Sequence, residues 1–276
     1  MLDRFQPLSN ENIKLVLKDL AIFHSLSYVM QERDHETFQG LKTKLPSMWA
    51  IMNNSEEMKF MMNFFEVDAV DIMESEKYKK VLQGNIGNFT DVAAKLHKLS
   101  LESKHSVIQQ GDCWTNNIMF RVEEGTSVES CMIDYQLSRA ASPVADVLHL
   151  IFNCTDHETR SKNYNDWLDF YHSELDNSLN NFGLKANRIY PRDQMDADLR
   201  RYGKLALALS IVFANNLSRE SDEVLEIKGV ETENGELIDQ SEGFRVKNMR
   251  EETKLRFRKR VEDCIESALE FGLVTL

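Results

Sequence analysis

The sequence Gln110-Gly111-Asp112-Cys113-Trp114-Thr115-Asn116-Asn117-Ile118-Met119-Phe120, with Met132-Ile133-Asp134-Tyr135-Gln136 farther along, decides the fold. Asp112 and Asn117 lie in a polar segment between two apolar stretches, and Asp134 directly follows a third. This order of strand, Gly-Asp loop, strand, turn and strand predicts a hairpin that brings Asp134 beside Asn117. Carboxylate and amide oxygens are hard ligands of the kind that magnesium takes together with nucleotide phosphates. Each piece alone occurs by chance, but the whole set indicates a phosphoryl-transfer site in which one carboxylate accepts a hydroxyl proton.

The chain on both sides of this loop has the hydrophobic period of helices. A Ser9-Asn10 cap signal opens a helix over 9–33, residues 41–73 suggest short helices, and 75–102 suggest another. Strands are predicted at 106–109, 118–122 and 129–133, and later helices at 144–153, 158–182, 192–217 and 248–272. The fold class is therefore α+β, a single domain over 1–276 that is mostly helical with a small β-hairpin insert. The acidic, glycine-dotted segment 218–243 is predicted to be a mobile surface loop.

Composition excludes several classes of protein. With 45 acidic and 33 basic residues the chain has a net charge of −12, which argues against a nucleic-acid partner. The longest apolar run, 205–214, is too short to span a bilayer, so no membrane partner is expected. The four cysteines form no C-x-x-C pair, and no signal peptide opens the chain, so we predict free thiols and a cytoplasmic protein. The pattern says nothing about the oligomeric state.

Longer motifs resemble those of a known family. The stretch 110–120 resembles the His-Gly-Asp-x-Trp-x-Asn-Asn-x-Met-Phe signature of the ecdysteroid-kinase-like (CHK kinase-like) proteins, insect-abundant relatives of choline and aminoglycoside kinases. Residues 133–139 resemble its Ile-Asp-Phe-Gln-x-Ser-Arg motif, and 142–147 its Ser-Pro-x-x-Asp-Leu motif. Residues 20–27 match the helix that follows the family's hinge, so the resemblance is expected to run from near residue 1 to beyond 250. It implies a protein-kinase-like fold, of which this chain supplies mainly the helical C-terminal lobe.

The resemblance also implies roles for individual residues. Asp112 would be the catalytic base, and Asn117 and Asp134 would bind Mg²⁺ and, through it, ATP. Met119 and Ile133 would form the floor under the adenine, and the substrate would be a small, sterol-like or xenobiotic molecule with a hydroxyl group. Structural support would come from Gly111 and from Asp146, which would brace the loop through backbone hydrogen bonds. Trp114 has two equally supported interpretations, a stacking wall for the substrate and an anchor for the loop. His149 is expected to satisfy a core hydrogen bond.

Kinases of this type also use a glycine-rich loop and a strand lysine, and neither is found in the sequence. Three glycines, Gly40, Gly84 and Gly87, precede Gly111, and no G-x-G-x-x-G occurs. We therefore expect a chain without the N-terminal lobe and with weak or no kinase turnover, whether through a truncated gene model or as a short gene product. The alternative to an enzyme is a non-catalytic truncated pseudokinase or binding module.

Overall fold

A computed structural model describes residues 2–48, 51, 53, 55–223 and 244–276. Helices with defined bounds are α1 Asn10–Arg33, α2 His35–Lys44, α3 Glu56–Ile72, α4 Glu76–Leu82, α5 Phe89–Glu102, α6 Val144–Cys154, α7 His157–Asn180, α8 Ala186–Ile189, α9 Arg192–Leu217 and α10 Glu251–Glu270. Strands are β1 Val107–Gln109, β2 Ile118–Glu123, β3 Thr126–Met132 and β4 Arg139–Ala141, and short 3-10 helices cover Thr115–Asn117 and Val246–Asn248. The α+β prediction is confirmed at this level: the described chain is mostly helical with small antiparallel sheets.

The long helix α1 is the central support of the described chain. Its N-terminus is capped by Ser9, whose hydroxyl accepts the Asn12 N–H, and its apolar face packs against α7. It also holds β1, because the Ile108 N–H donates to the Ser27 hydroxyl over 2.9 Å and the Tyr28 hydroxyl donates to the His105 carbonyl over 2.8 Å. Among the later helices, α6 packs against α9, and α9 packs against α10.

Two two-stranded antiparallel sheets flank the loop over 110–117. Strands β2 and β3 form the predicted hairpin, in which Ile118 pairs with Met132 and Met119 with Cys131. Strands β1 and β4 form the second sheet, in which Val107 pairs with Ala141. Strand β4 was not predicted, because its Arg-Ala-Ala sequence has no strand propensity and it is held by pairing with a distant segment.

The structure corrects two of the predictions. The single helix predicted over 75–102 is broken between α4 and α5, because the Glu66 carboxylate accepts the N–H groups of Gly84, Ile86 and Gly87. The surface loop predicted over 218–243 is contradicted at three of its first six residues, because Ser218, Arg219 and Glu223 are buried, whereas Ser221 and Asp222 are exposed. Residues 224–243 lie outside the described residues. No helix in the described part of the chain has the length and apolar character needed to cross a membrane.

Candidate active site

Asp146 anchors the start of the loop. It lies in the first turn of α6, is fully buried, and accepts the Gln110 N–H through Oδ2 at 2.7 Å and the Gly111 N–H through Oδ1 at 2.9 Å. His24 of α1 lies on its other side, with Nε2 3.1 Å from Oδ2 and Nδ1 2.8 Å from the Tyr171 hydroxyl. Burial alone would raise the pKa of Asp146, but the hydrogen bond and charge of His24, with the loop N–H groups, bring it below its usual value. The Asp146 carboxylate thus connects the loop to α6, which carries it, and to α1, which carries His24.

Gly111 adopts a backbone conformation that its neighbours require. Its φ is +90°, and a Cβ added to it would lie 2.2 Å from the Leu137 carbonyl oxygen. The Arg139 guanidinium fills the space beside it, with Nη1 donating to the carbonyl of Leu137 at 2.9 Å and to that of Gly111 at 3.3 Å. Glycine is therefore needed for two separate reasons, the left-handed φ and the close approach of the 137–139 backbone.

Asp112 and Asn117 are joined directly. The 3-10 turn over Thr115–Asn117 folds the amide back, so that Nδ2 donates to the Asp112 carbonyl and to its Oδ2, each over 2.9 Å. The other carboxylate oxygen, Oδ1, is buried and has no hydrogen-bond partner among the described residues. Burial raises the pKa of Asp112 to about 6, and the nearby Trp114 and Asn117 side chains oppose this rise, while the charge of Asp134 adds to it. A carboxylate with this pKa and one free oxygen has the properties of a general base near neutral pH.

His149, one turn beyond Asp146 on α6, faces the free oxygen of Asp112. Its Nε2 lies 3.7 Å from Asp112 Oδ1, too far for a hydrogen bond, and neither ring nitrogen has a partner in the described chain. The expectation of a satisfied core hydrogen bond is therefore wrong, because the ring packs edge-on against Phe213 at 4.8 Å instead. Burial lowers the pKa of His149 to about 4, so the neutral ring offers Asp112 no positive charge. Trp114 also contacts Phe213, at 6.3 Å, which supports its interpretation as a loop anchor.

Asp134 approaches the loop as the hairpin predicts. The Ile133 N–H donates to the Asn117 carbonyl over 2.9 Å, which joins the end of β3 to the start of β2. Asp134 itself has a left-handed φ of +60°, uncommon for a residue other than glycine, and its carboxylate is exposed. Such conformations persist where the surroundings impose them, often at binding sites. Met119 is 49% exposed and Ile133 half-buried, so the hairpin has apolar surface available for a planar ligand.

Gln110 is the residue whose importance the sequence did not reveal. It is fully buried; its Nε2 donates to the carbonyls of Ile133 and Asp134, each over 2.9 Å, and its Oε1 accepts the Asp112 N–H at 2.7 Å. One amide side chain therefore links the two segments that carry the candidate site. The signal was its position, since it replaces the histidine that the family places before Gly-Asp, and an amide is able to donate and accept at once.

We expect Gln110→Ala to lower the free energy of unfolding by about 2–3 kcal/mol, because three buried backbone groups lose their partner. Equilibrium urea unfolding measures the change. Gln136→Ala is the matched control, since Gln136 is exposed and bonds to the same Asp134 through its side chain over 3.2 Å. Its expected cost is below about 0.5 kcal/mol. Equal losses in the two variants would contradict the linking role.

Comparison with models of protein families shows the family to which the chain belongs. The model of the ecdysteroid kinase-like family matches residues 1–184. The chain belongs to the ecdysteroid kinase-like family. The matched range includes α1, the loop, the hairpin and α6, and it ends before residue 250, to which we expected the resemblance to extend. No curated protein sequence matches the chain. At the level of the family, membership indicates a kinase-like small-molecule phosphotransferase.

Proposed function

We propose that this ecdysteroid kinase-like protein transfers the γ-phosphoryl group of ATP to a hydroxyl of a small, sterol-like or xenobiotic molecule, in a protein-kinase-like fold. The observation that carries the proposal is Asp112, whose carboxylate is oriented by Asn117 through one oxygen and is free at the other. Phosphoryl transfer requires a positioned acceptor hydroxyl and neutralised phosphate charge more than covalent chemistry from the protein. We propose that the Asp112 carboxylate positions the acceptor hydroxyl, and its raised pKa and orientation by Asn117 support this role.

The donor set fits Mg²⁺. Asn117 uses Nδ2 for Asp112, which leaves its Oδ1 as a ligand atom, and Asp134 offers an exposed carboxylate on the adjoining segment. Magnesium commonly takes one or two protein ligands and completes its shell with phosphates and water. When bound, it would neutralise charge on the nucleotide phosphates. Met119 and Ile133 would lie under the adenine, and Gln110 would keep the Asp134 segment in register with Asp112.

The role of Asp112 predicts a pH dependence. A carboxylate accepts a hydroxyl proton only when ionised, and the pKa of Asp112 is raised to about 6. The rate of phosphoryl transfer should therefore fall about tenfold per pH unit below 6 and reach a plateau above it. Single-turnover transfer measured between pH 5 and 8 tests this. If the chemical step limits the rate and the rate does not change between pH 5 and 8, Asp112 is not the general base.

A second candidate function is nucleotide or small-molecule binding without turnover. It is favoured by the glycine pattern, because Gly84 and Gly87 are held by Glu66 between two helices and Gly40 lies within α2, so none of them forms a phosphate loop. Losing one well-placed donor to a transition state typically costs about 2.7–4 kcal/mol. A site without a phosphate cover would accordingly bind Mg²⁺-ATP weakly and turn over slowly.

Calorimetric titration of ATP with and without Mg²⁺ tests both candidates. We expect Mg²⁺-dependent binding that Asp134→Asn and Asn117→Ala each weaken about tenfold, the usual size of losing one ligand interaction. Asn116→Ala is the matched control and should bind as the wild type does.

Measuring turnover with a panel of apolar alcohols then distinguishes a kinase from a protein that binds without turnover. In a kinase, Asp112→Asn lowers the rate about 100-fold and leaves ATP affinity within about threefold, because a general base acts on the acceptor. Binding without turnover selects the second candidate. Absence of Mg²⁺-dependent ATP binding contradicts the kinase and also nucleotide binding without turnover.

A further inference from the structure

A cavity of about 420 Å³ lies where the segment over 4–7 meets α6, α7, α9 and α10. None of its lining residues belongs to the loop over 110–117 or to the hairpin. Its volume lies within the range of small-molecule sites in proteins. The cavity is therefore large enough for a small-molecule ligand.

The charge of this cavity is opposite to that of the chain. The net charge of the protein is −12, yet the cationic lining side chains outnumber the carboxylates: Arg4, Arg160, Arg256, Lys259 and Arg260 against Asp156 and Asp263. Three of these cations are compensated within the protein. Lys259 pairs with Asp263 at 2.7 Å, Arg256 pairs with Glu252 at 3.0 Å and with Glu220, and the buried Arg160 donates to the carbonyls of Phe152, Thr155 and Asp263.

The remaining two cations, Arg4 and Arg260, are less fully compensated, because each makes a single hydrogen bond in the described part of the chain. In the part of the chain that the structure describes, neither has a carboxylate within 4.0 Å; each donates to a backbone carbonyl, Arg260 to that of Arg4 over 2.7 Å and Arg4 to that of Arg219. Both side chains are half-buried, and partial burial lowers the pKa of Arg260. A partly desolvated guanidinium with free N–H groups binds carboxylate or phosphate oxygens well.

The rest of the lining is apolar. The centroid of the Phe5 ring lies 5.1 Å from the Arg4 guanidinium carbon and 5.0 Å from that of Arg256. Phe152, Leu217 and Leu255 also line the cavity. Stacking against these cations fixes the Phe5 ring at the cavity wall. A ligand with its anionic head group beside Arg4 and Arg260 would therefore place the rest of its body against an apolar wall.

We propose that this cavity binds a small amphipathic anion, a carboxylate or phosphate monoester with an apolar body. The site shares no lining residue with the loop over 110–117 or the hairpin of the proposed phosphoryl-transfer site. Its ligand is recognised by ion pairing to Arg4 and Arg260 and by apolar contact with Phe5, Phe152 and Leu217.

Calorimetric titration with four probes tests the chemistry. Octyl phosphate and octanoate should both bind, and the tighter of the two identifies the preferred head group. The neutral 1-octanol and inorganic phosphate should each bind at least tenfold more weakly than the better amphiphile, because each lacks half of the recognised chemistry. Octanol binding as tight as that of both anions would overturn the proposal.

Variants locate the binding. Arg260→Met should weaken the better amphiphile at least tenfold, and Gln6→Glu, a near-isosteric change in an exposed lining residue, should weaken it at least threefold without disturbing the core. Arg200→Met, on the exposed face of α9, and Asp134→Asn should leave binding unchanged. If Arg260→Met fails to fold, Gln6→Glu decides alone. Unchanged affinity in Gln6→Glu, or an effect of Asp134→Asn equal to it, would place the ligand elsewhere.

Discussion

Gly111→Ala is expected to lower the free energy of unfolding by about 2–5 kcal/mol. The left-handed conformation at φ +90° costs a residue with a Cβ about 1–2 kcal/mol, and the contact adds more. The added methyl would lie 2.2 Å from the Leu137 carbonyl oxygen, a backbone atom that moves only if the 137–139 segment moves. Overpacking of this kind typically costs about 1–3 kcal/mol. The loss should appear as a shift of the urea midpoint with an unchanged slope.

Gly183→Ala separates the two contributions. Gly183 also has a left-handed φ, +76°, but no atom lies within 4 Å of an added Cβ. Its alanine variant should therefore lose only about 1–2 kcal/mol. A loss in Gly111→Ala no larger than that in Gly183→Ala would mean that the close approach to Leu137 costs nothing.

Asp146→Asn is expected to cost about 3 kcal/mol of stability and to loosen the candidate site. The buried carboxylate accepts two backbone N–H groups and lies against His24; an asparagine has one acceptor oxygen, so its NH₂ group must face a donor. Leaving a buried partner unsatisfied costs this much because the backbone N–H cannot rotate away. Urea unfolding at pH 7 measures the loss.

Acid provides an internal check on this variant. The pKa of Asp146 is below its usual 3.8, so the stability that its ionised form contributes is present above pH 3.8 and is lost as pH falls through the folded-state pKa. The difference between the wild type and Asp146→Asn should therefore shrink below pH 3.8. A difference that stays constant to pH 2 would show that the charge is irrelevant.

Asp198→Asn is the matched control. Asp198 is equally buried in the core, but its Oδ2 accepts the Ser142 hydroxyl at 2.6 Å and the Tyr190 hydroxyl at 3.1 Å. Its Oδ1 accepts Gln194 Nε2 and Arg201 Nη1, each at 3.0 Å, and the amide oxygen of an asparagine can keep these two bonds. Hydroxyl groups rotate to suit an amide, so this variant should lose about 1 kcal/mol. Comparable losses at the two positions would contradict the argument from fixed backbone donors.

The parts of the site that the sequence predicts are those built from local pattern. The hairpin of β2 and β3, and with it the approach of Asp134 to Asn117, follows from alternating apolar residues on either side of the turn at Gly125. The hydrogen bond from Asn117 to Asp112 joins two residues of one loop, but the sequence did not predict it. Placement of catalytic roles on these residues came from family resemblance rather than from pattern.

The parts that could not be predicted depend on residues far apart in the chain. His24 reaches Asp146 across 122 positions, and Gln110 bonds to Asp134 across 24. The break between α4 and α5 depends on Glu66, whose carboxylate accepts the N–H groups near Gly84. No periodicity or motif encodes such contacts, because they exist only after tertiary packing has brought the partners together.

The tethering of β1 and the loop to α1 has a consequence for how the site forms. Ser27 and Tyr28 hold the strand, His24 reaches the loop through Asp146, and Tyr171 joins the same chain of contacts from α7. The loop geometry therefore exists only when residues from positions 24 to 171 are assembled together. Local fraying of one turn would not free Asp112, so the site and the helical core form a single cooperative folding unit.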